Sequence, residues 1–95
     1  MIPMASGGGG SDVRIEYPCE WSIRVVADHR EQIVAYVGEV LSRYVEGFDP
    51  EAMDVVPSRA GRYMSVRLRF EARSEGHVRT IVNALAEHPE VRMII

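Results

Sequence analysis

The chain has 95 residues, with 11 basic and 14 acidic side chains for a net charge of −3 at pH 7, and 46% of its residues are hydrophobic. These values predict one globular domain, exclude a disordered chain, and argue against bulk binding to nucleic acid or to an anionic membrane surface. Cys19 is the single cysteine, which excludes an internal disulfide and favours a reducing, cytoplasmic location.

Residues 1–14 are predicted to be a flexible leader. Four consecutive glycines at 7–10 are flanked by serines, and such residues cannot supply a packed face. Residues 1–10 also lack the basic and apolar regions of a signal peptide, and no apolar stretch of the chain is long enough to span a membrane. Residues 15–95 are therefore predicted to form a single domain.

The first predicted elements of this domain are a strand and a helix. Apolar and polar side chains alternate from Trp21 through Arg24, which indicates a strand with one buried face. Asp28, with Glu31 three residues later, has the spacing of a capping box and predicts that a helix starts here. The helix is expected to run to about Tyr44, because apolar residues recur at helical spacing: Ile33, Val37, Val40, Leu41 and Tyr44.

Two strands joined by a turn are predicted next. Residues 53–58 form the weaker one, and Pro57 suits a sheet edge because proline cannot donate a backbone hydrogen bond. A turn at residues 59–62 follows, in which Gly61 can adopt a positive φ. The next strand has the clearest pattern in the chain, since polar side chains alternate with the apolar residues Met64, Val66, Leu68, Phe70 and Ala72.

The last predicted elements complete a known arrangement. Ser74 can cap a second helix, whose apolar stripe is Val78, Ile81, Val82 and Leu85, and residues 91–95 form a final strand. The order βαββαβ predicts a ferredoxin-like α+β fold. Right-handed crossovers then place both helices on one face of a four-stranded antiparallel sheet in the order 4-1-3-2.

Several segments resemble the YbeD-like family of small bacterial proteins, over about residues 16–95. They are Tyr17-Pro18-Cys19, Ile23-Arg24-Val25, the stretch at 57–66 and the closing strand at 91–95. The most specific is the hairpin signature Ser58…Gly61…Tyr63…Ser65-Val66. The resemblance implies a ferredoxin-like fold similar to ACT-type amino-acid-sensing domains. It also implies an unknown biochemical role, with a loose link to lipoate metabolism.

The polar face of the sheet is the first candidate site. By strand parity it carries Arg24, Arg67, Arg69 and Arg92, together with Ser22, Ser65 and Ile94. One interpretation is a solvated face with Glu71 as one ionic partner. The other is a docking surface for an acidic partner, a second copy of the domain, or RNA. RNA is disfavoured, because its recognition on such sheets uses outward aromatic side chains and the outward positions after Tyr63 are serine, arginine, arginine and glutamate.

The hairpin turn is the second candidate site. Its polar and basic residues can form a small anion-binding concavity: Ser58, Arg59, Gly61, Arg62 and Tyr63. The alternative is a purely structural turn, in which Gly61 supplies backbone geometry and Tyr63 packs on the sheet.

No catalytic, cofactor or metal site is predicted. The chain has no lysine, which excludes Schiff-base and P-loop lysine chemistry. Acylphosphatases share this fold class and cradle phosphate at the loop entering the first helix, where Asp28 would place a competing carboxylate beside Arg30. Cys19 is expected to be a buried small hydrophobe. The three histidines lack metal-ligand spacing and are expected to be solvated: His29, His77 and His88.

The sequence therefore favours a non-catalytic regulatory or protein-interaction module that acts through its open sheet face or edges. Its expected partner is an acidic protein or a second copy of the chain, with no membrane. A small-ligand sensor, for an amino acid or an anion bound between two copies, is the alternative. An RNA-binding module is a third and weaker hypothesis.

Overall fold

The computed structural model describes residues 15–95, so the predicted leader at 1–14 lies outside the described part of the chain. The elements follow the predicted order, with a short 3-10 helix at Pro50–Ala52. They are β1 (Cys19–Asp28), α1 (Glu31–Tyr44), β2 (Asp54–Pro57), β3 (Tyr63–Ala72), α2 (Glu75–Ala86) and β4 (Val91–Ile94). Neither helix is long and apolar enough to cross a membrane, within the residues described.

The four strands form one antiparallel sheet in the order β2-β3-β1-β4, which confirms the ferredoxin-like α+β fold. The long strands β1 and β3 pair over their full length, from Cys19 opposite Ala72 to Asp28 opposite Tyr63. The two short strands flank them, and Pro57 lies on the edge strand β2 as predicted. The central pair is therefore the rigid platform of the molecule.

One face of the sheet and the facing sides of both helices form the core. Along β3 every second residue is buried, beginning at Met64, and the intervening residues face away from the helices. The most completely buried side chains come from the sheet and from both helices: Val25, Val66, Ile33, Val37, Leu41, Ile81 and Leu85. Because both helices cover the same side, the opposite face of the sheet has no covering layer among the described residues.

The start of α1 differs from the prediction. The helix begins at Glu31 after Arg30, which makes no side-chain capping hydrogen bond, whereas Asp28 is the last residue of β1. The Asp28 carboxylate is held by an arginine of β4 and cannot also cap the helix. The predicted cap of α2 is confirmed, because the Ser74 hydroxyl accepts a hydrogen bond from the His77 backbone amide at 3.0 Å.

A β-bulge in the β1–β4 pair corrects the predicted position of Ile94. Met93 faces Val26, but Val91 faces Ala27, so Arg92 is an extra residue on β4. Simple alternation would place Val91 and Ile94 on opposite faces. The bulge instead lets both pack against the core, so Ile94 does not lie on the polar face.

Two of the three histidines differ from the prediction, because His77 and His88 are half-buried, whereas His29 is exposed as predicted. Each of the three also makes a hydrogen bond. His29 Nδ1 lies 3.0 Å from the Gly61 carbonyl, and His88 Nδ1 accepts from the Glu90 amide at 3.1 Å. His77 is half-buried and uses both ring nitrogens. The contacts of His29 with Gly61 and of His77 with Tyr44 join segments that are distant in sequence, which local spacing could not reveal.

Candidate functional site

The candidate site is the open face of the sheet, defined here as the outward residues of the four strands. The register places these residues in rows that cross the strands. The central row is Asp54 on β2, Arg67 on β3 and Arg24 on β1, followed by Ile95. Ile95 lies beside Arg24 because their backbones exchange two hydrogen bonds, of 3.0 and 2.9 Å.

The centre of the open face is an unneutralised pair of arginines. Arg24 and Arg67 lie directly opposite each other on adjacent strands, and both are exposed. No carboxylate of residues 15–95 lies within ion-pair distance of either guanidinium, although Asp54 is the neighbour of Arg67 on β2. Like charges directly opposite on paired strands destabilise a sheet. This arrangement is therefore unfavourable for the free domain.

Arg69 and Ser22 form the next row, and Arg69 has an ionic partner. Its guanidinium lies 3.8 Å from the Glu20 carboxylate, and both side chains are about two-thirds exposed. The sequence had suggested Glu71 as a partner on this face. Glu71 instead lies opposite Glu20 at the end of the sheet, so two acidic side chains mark that end of the open face.

On the other side of the arginine pair lies a row of apolar side chains that the sequence analysis missed. Val26 is half-buried, Val56 is 40% exposed and Met93 is 52% exposed, with Ser65 between the valines. Val56 and Met93 come from edge strands whose register could not be predicted. The sequence feature that could have indicated this apolar row was Val26. It is an apolar residue at an outward position of β1, where alternation predicts a polar residue.

The open face is also slightly concave. A shallow depression of about 620 Å³ lies over its centre, and its outward lining includes Ser22, Arg24, Asp54, Arg67, Arg69 and Ile95. Three of these six side chains are cationic and one is anionic. The depression can therefore hold an anionic group, and Asp54 is the acidic side chain of this lining that competes with it.

Arg92 does not join the other three arginines. It lies at the far end of the open face, and its Nε and Nη2 donate to Oδ1 and Oδ2 of Asp28, each at 3.0 Å. Asp28 lies four residues from Arg24 along β1, about 13 Å away. The charge of Arg92 is thus neutralised locally, because the bulge in β4 brings its side chain to the end of β1.

The Asp28–Arg92 pair makes stability depend on acid pH. The hydrogen bond from Arg92 lowers the pKa of the Asp28 carboxyl below its usual value, and it raises the pKa of Arg92. A depressed folded-state pKa gives stability that is present above the unfolded pKa, about 3.9, and is lost as the pH falls through the folded value.

We therefore expect Asp28→Asn to be less stable than the wild type at pH 7, and the difference to shrink below about pH 4 as the wild-type carboxyl becomes protonated. Urea denaturation of both proteins across this range measures the effect. A difference that is constant with pH would contradict a contribution from the ionised pair.

In the hairpin turn, the second candidate site, polar groups of the turn hydrogen-bond to one another. The Ser58 amide donates to the Tyr63 carbonyl at 2.8 Å, and the Tyr63 amide donates to the Ser58 hydroxyl at 3.2 Å. The Gly61 amide, at φ 78°, donates to the Ser58 carbonyl at 2.9 Å. These amides are not available to an anion. Arg59 and Arg62 are exposed beside the turn.

The other chemically reactive side chains either pair with a neighbouring residue or have no reactive partner in the described part of the chain. Arg30, at the loop compared with acylphosphatases, lies 3.3 Å from the Glu90 carboxylate. Cys19 is half-buried at the first position of β1 and has a free thiol. No group of three or more histidine, cysteine or carboxylate side chains with metal-binding geometry occurs within residues 15–95.

The strand order and the helices on one side define a small ferredoxin-like α+β domain whose sheet has one open face. Within that class, the chain belongs to the DUF493 family, described as proteins of unknown function, whose family model matches residues 12–95. This confirms the resemblance to YbeD-like proteins.

Relatives of similar length support the family assignment. A UPF0250 protein from Paraburkholderia phymatum is 30% identical over 81 residues, which cover 85% of this chain and 91% of the relative. A UPF0250 protein from Pseudomonas paraeruginosa is 31% identical over 83 residues, covering 86% and 89%. The solution structure of protein HP0495 from H. pylori is similar, with a TM-score of 0.67, 20% identity, and coverage of 95% of this chain and 98% of that one. That likeness supports the fold alone.

Proposed function

We propose that the protein is a non-catalytic regulatory module that binds a partner protein through the open face of its sheet. One observation carries this proposal: Arg24 and Arg67 lie opposite each other with no carboxylate of residues 15–95 within ion-pair distance. Their mutual repulsion is unfavourable in the free domain. A partner that brings negative charge to the pair relieves it, so the same arrangement favours binding.

The surroundings of the arginine pair support a protein partner. Specific interfaces combine apolar contact area with charged groups that fix orientation and select partners. Here the exposed side chains of Val56 and Met93 lie in the row next to the arginines. Both edge strands expose an apolar side chain in the row next to the charged pair. Such a combination is typical of an interface and is not expected of a face that only contacts water.

The absence of catalysis is part of the proposal. The charged and titratable side chains at the loop before α1 have structural partners: Asp28 binds Arg92, Arg30 pairs with Glu90, and His29 contacts the Gly61 carbonyl. A phosphate bound there would have to displace these contacts. We therefore expect no hydrolysis of acyl phosphates above background.

A small-ligand sensor is the second candidate function, and the concavity of about 620 Å³ favours it. Its three arginines suit a carboxylate or another small anion. Such a ligand would use the charged row and leave the apolar row uncovered unless a second copy closed over it. Binding of free amino acids or small dicarboxylates, measured by isothermal titration calorimetry, tests this candidate.

The experiment for the main proposal is affinity capture from an extract of the source cells. The baits are the wild type, the double variant Arg24→Glu/Arg67→Glu, and a control with the same charge change, Arg43→Glu/Arg79→Glu. The control arginines lie on α1 and α2, where they form exposed ion pairs with Glu39 and Glu75. Each such helical pair contributes only about 0.3–0.5 kcal/mol, so the control should remain folded.

We expect a partner protein that is retained by the wild type and by the helix control but not by the Arg24/Arg67 variant. Its retention should weaken as salt rises from about 0.05 to 0.5 M, because salt screens exposed charges. Retention by all three baits that resists salt would show that the arginines are a solvated face.

A further inference from the structure

Resting on the proposed function, we infer the chemistry of the partner: it presents an extended segment with an acidic residue and an apolar residue two positions apart. The acidic side chain binds Arg24 and Arg67, and the apolar one packs on Val26 and Met93. The inference combines two features of the open face, the unneutralised arginine pair and the exposed apolar row.

The spacing of the two features selects an extended segment. Arg24 and Val26 are two residues apart on one strand, so their side chains leave the same face about 7 Å apart. An extended peptide repeats its side chains on one side at the same interval of about 7 Å. A segment aligned with β1 therefore places an acidic residue and an apolar residue two positions away over the two features at once.

The apolar row suits an aliphatic side chain. Met93 is 52% exposed and unbranched, so it can adapt its shape to an incoming group. Val26 lies beside Met93 on the adjacent strand, and Val56 lies at the opposite end of the row, beyond Ser65. Covering this row removes apolar surface from water, which adds a salt-independent part to binding.

Charges elsewhere on the open face determine at which end of the segment its apolar residue lies. Glu20 and Glu71 face each other at one end, about 13 Å from Arg24, and repel further acidic residues there. The apolar side of the segment must therefore lie towards Met93. Asp54, next to Arg67, is an acidic side chain that competes with the segment, and its removal should strengthen binding.

The test uses a fluorescein-labelled peptide with the core Ser-Glu-Ser-Leu-Ser, titrated with the 95-residue protein at about 20 mM salt, where exposed charges are least screened. One control peptide replaces glutamate by glutamine. A second, Ser-Glu-Leu-Ser-Ser, moves leucine to the adjacent position, so that in an extended chain it points to the opposite side. Fluorescence anisotropy reports the affinity for the wild type, Arg24→Glu/Arg67→Glu, Asp54→Asn and the helix control.

We expect the core peptide to bind the wild type and the helix control equally. The Arg24/Arg67 variant should weaken binding roughly tenfold or more, since loss of one charge-assisted contact already accounts for about that factor. Asp54→Asn should tighten binding about twofold, as for removal of one exposed like charge. Both control peptides should bind more weakly than the core peptide.

Three results would overturn the inference. The first is equal binding of the core peptide to the wild type and the Arg24/Arg67 variant. The second is equal binding of the core and shifted peptides. The third is a dimer of the wild type, but not of the variant, in analytical ultracentrifugation, which would assign the face to a second copy. If the peptide fails while Arg24/Arg67-dependent capture from extract persists, this inference is wrong and the proposed function stands.

Discussion

We expect Phe70→Ala to lower the free energy of unfolding by about 3–5 kcal/mol, the usual cost of truncating a buried aromatic residue. Phe70 is only 5% exposed, lies opposite Trp21 on β1, and meets the His77 ring edge-on with centroids 5.9 Å apart. Its removal leaves a cavity between the sheet and α2. Chemical denaturation followed by circular dichroism measures the loss.

The control for this prediction is Arg69→Ala, at the preceding position on the open face. Arg69 is 70% exposed and makes one long ion pair with Glu20, so its removal should change stability by no more than about 0.5 kcal/mol. Similar losses for both variants would contradict the division of β3 into a buried and an open face.

The second large effect is expected for His77→Ala, at about 2.5–3.5 kcal/mol. His77 Nδ1 accepts from the Arg73 amide at 3.0 Å, which leaves the proton on Nε2 to donate to the Tyr44 carbonyl at 2.8 Å. Two such hydrogen bonds contribute about 1 kcal/mol each, and the aromatic contact with Phe70 adds about 0.5–1.5 kcal/mol. Thermal and urea denaturation measure the combined loss.

His29→Ala provides the contrast. His29 is exposed and makes a single hydrogen bond, to the Gly61 carbonyl, so we expect a loss below about 1 kcal/mol. If His77→Ala were as mild, the ring of His77 would not join the end of α1 to the start of α2.

The sequence predicted the fold well where local pattern alone decides structure. The alternation of β3 gave its buried and open faces, because a residue period of two fixes the face of every side chain. The Ser74 cap was equally local, since the amide that donates to the Ser74 hydroxyl is only three residues away. The positive φ of Gly61 followed from the turn that the hairpin requires.

The predictions from sequence were wrong where a residue distant in sequence determines the local structure. Asp28 has the spacing of a helix cap, but Arg92, 64 residues later, binds its carboxylate. Nothing in the short strand β4 indicated the bulge that turns Ile94 to the core and brings Arg92 to Asp28. The same register sets Met93 beside Val26, so the apolar row of the open face was not predictable from either strand alone.

The pairing of the strands distinguishes the four arginines from one another. From sequence, Arg24, Arg67, Arg69 and Arg92 were four equivalent outward charges. In the structure, Arg69 pairs with Glu20 and Arg92 with Asp28, whereas Arg24 and Arg67 face each other. The proposed interaction therefore depends on two of the four.

The central claim is that the partner contacts the middle of the open face. Its most direct test is the amide spectrum of the ¹⁵N-labelled protein as the captured partner is added. We expect the largest shifts at Arg24, Val26, Arg67 and Met93, with the exposed sides of α1 and α2 unchanged. Shifts confined to the helices or to the turn at 58–62 would contradict the account.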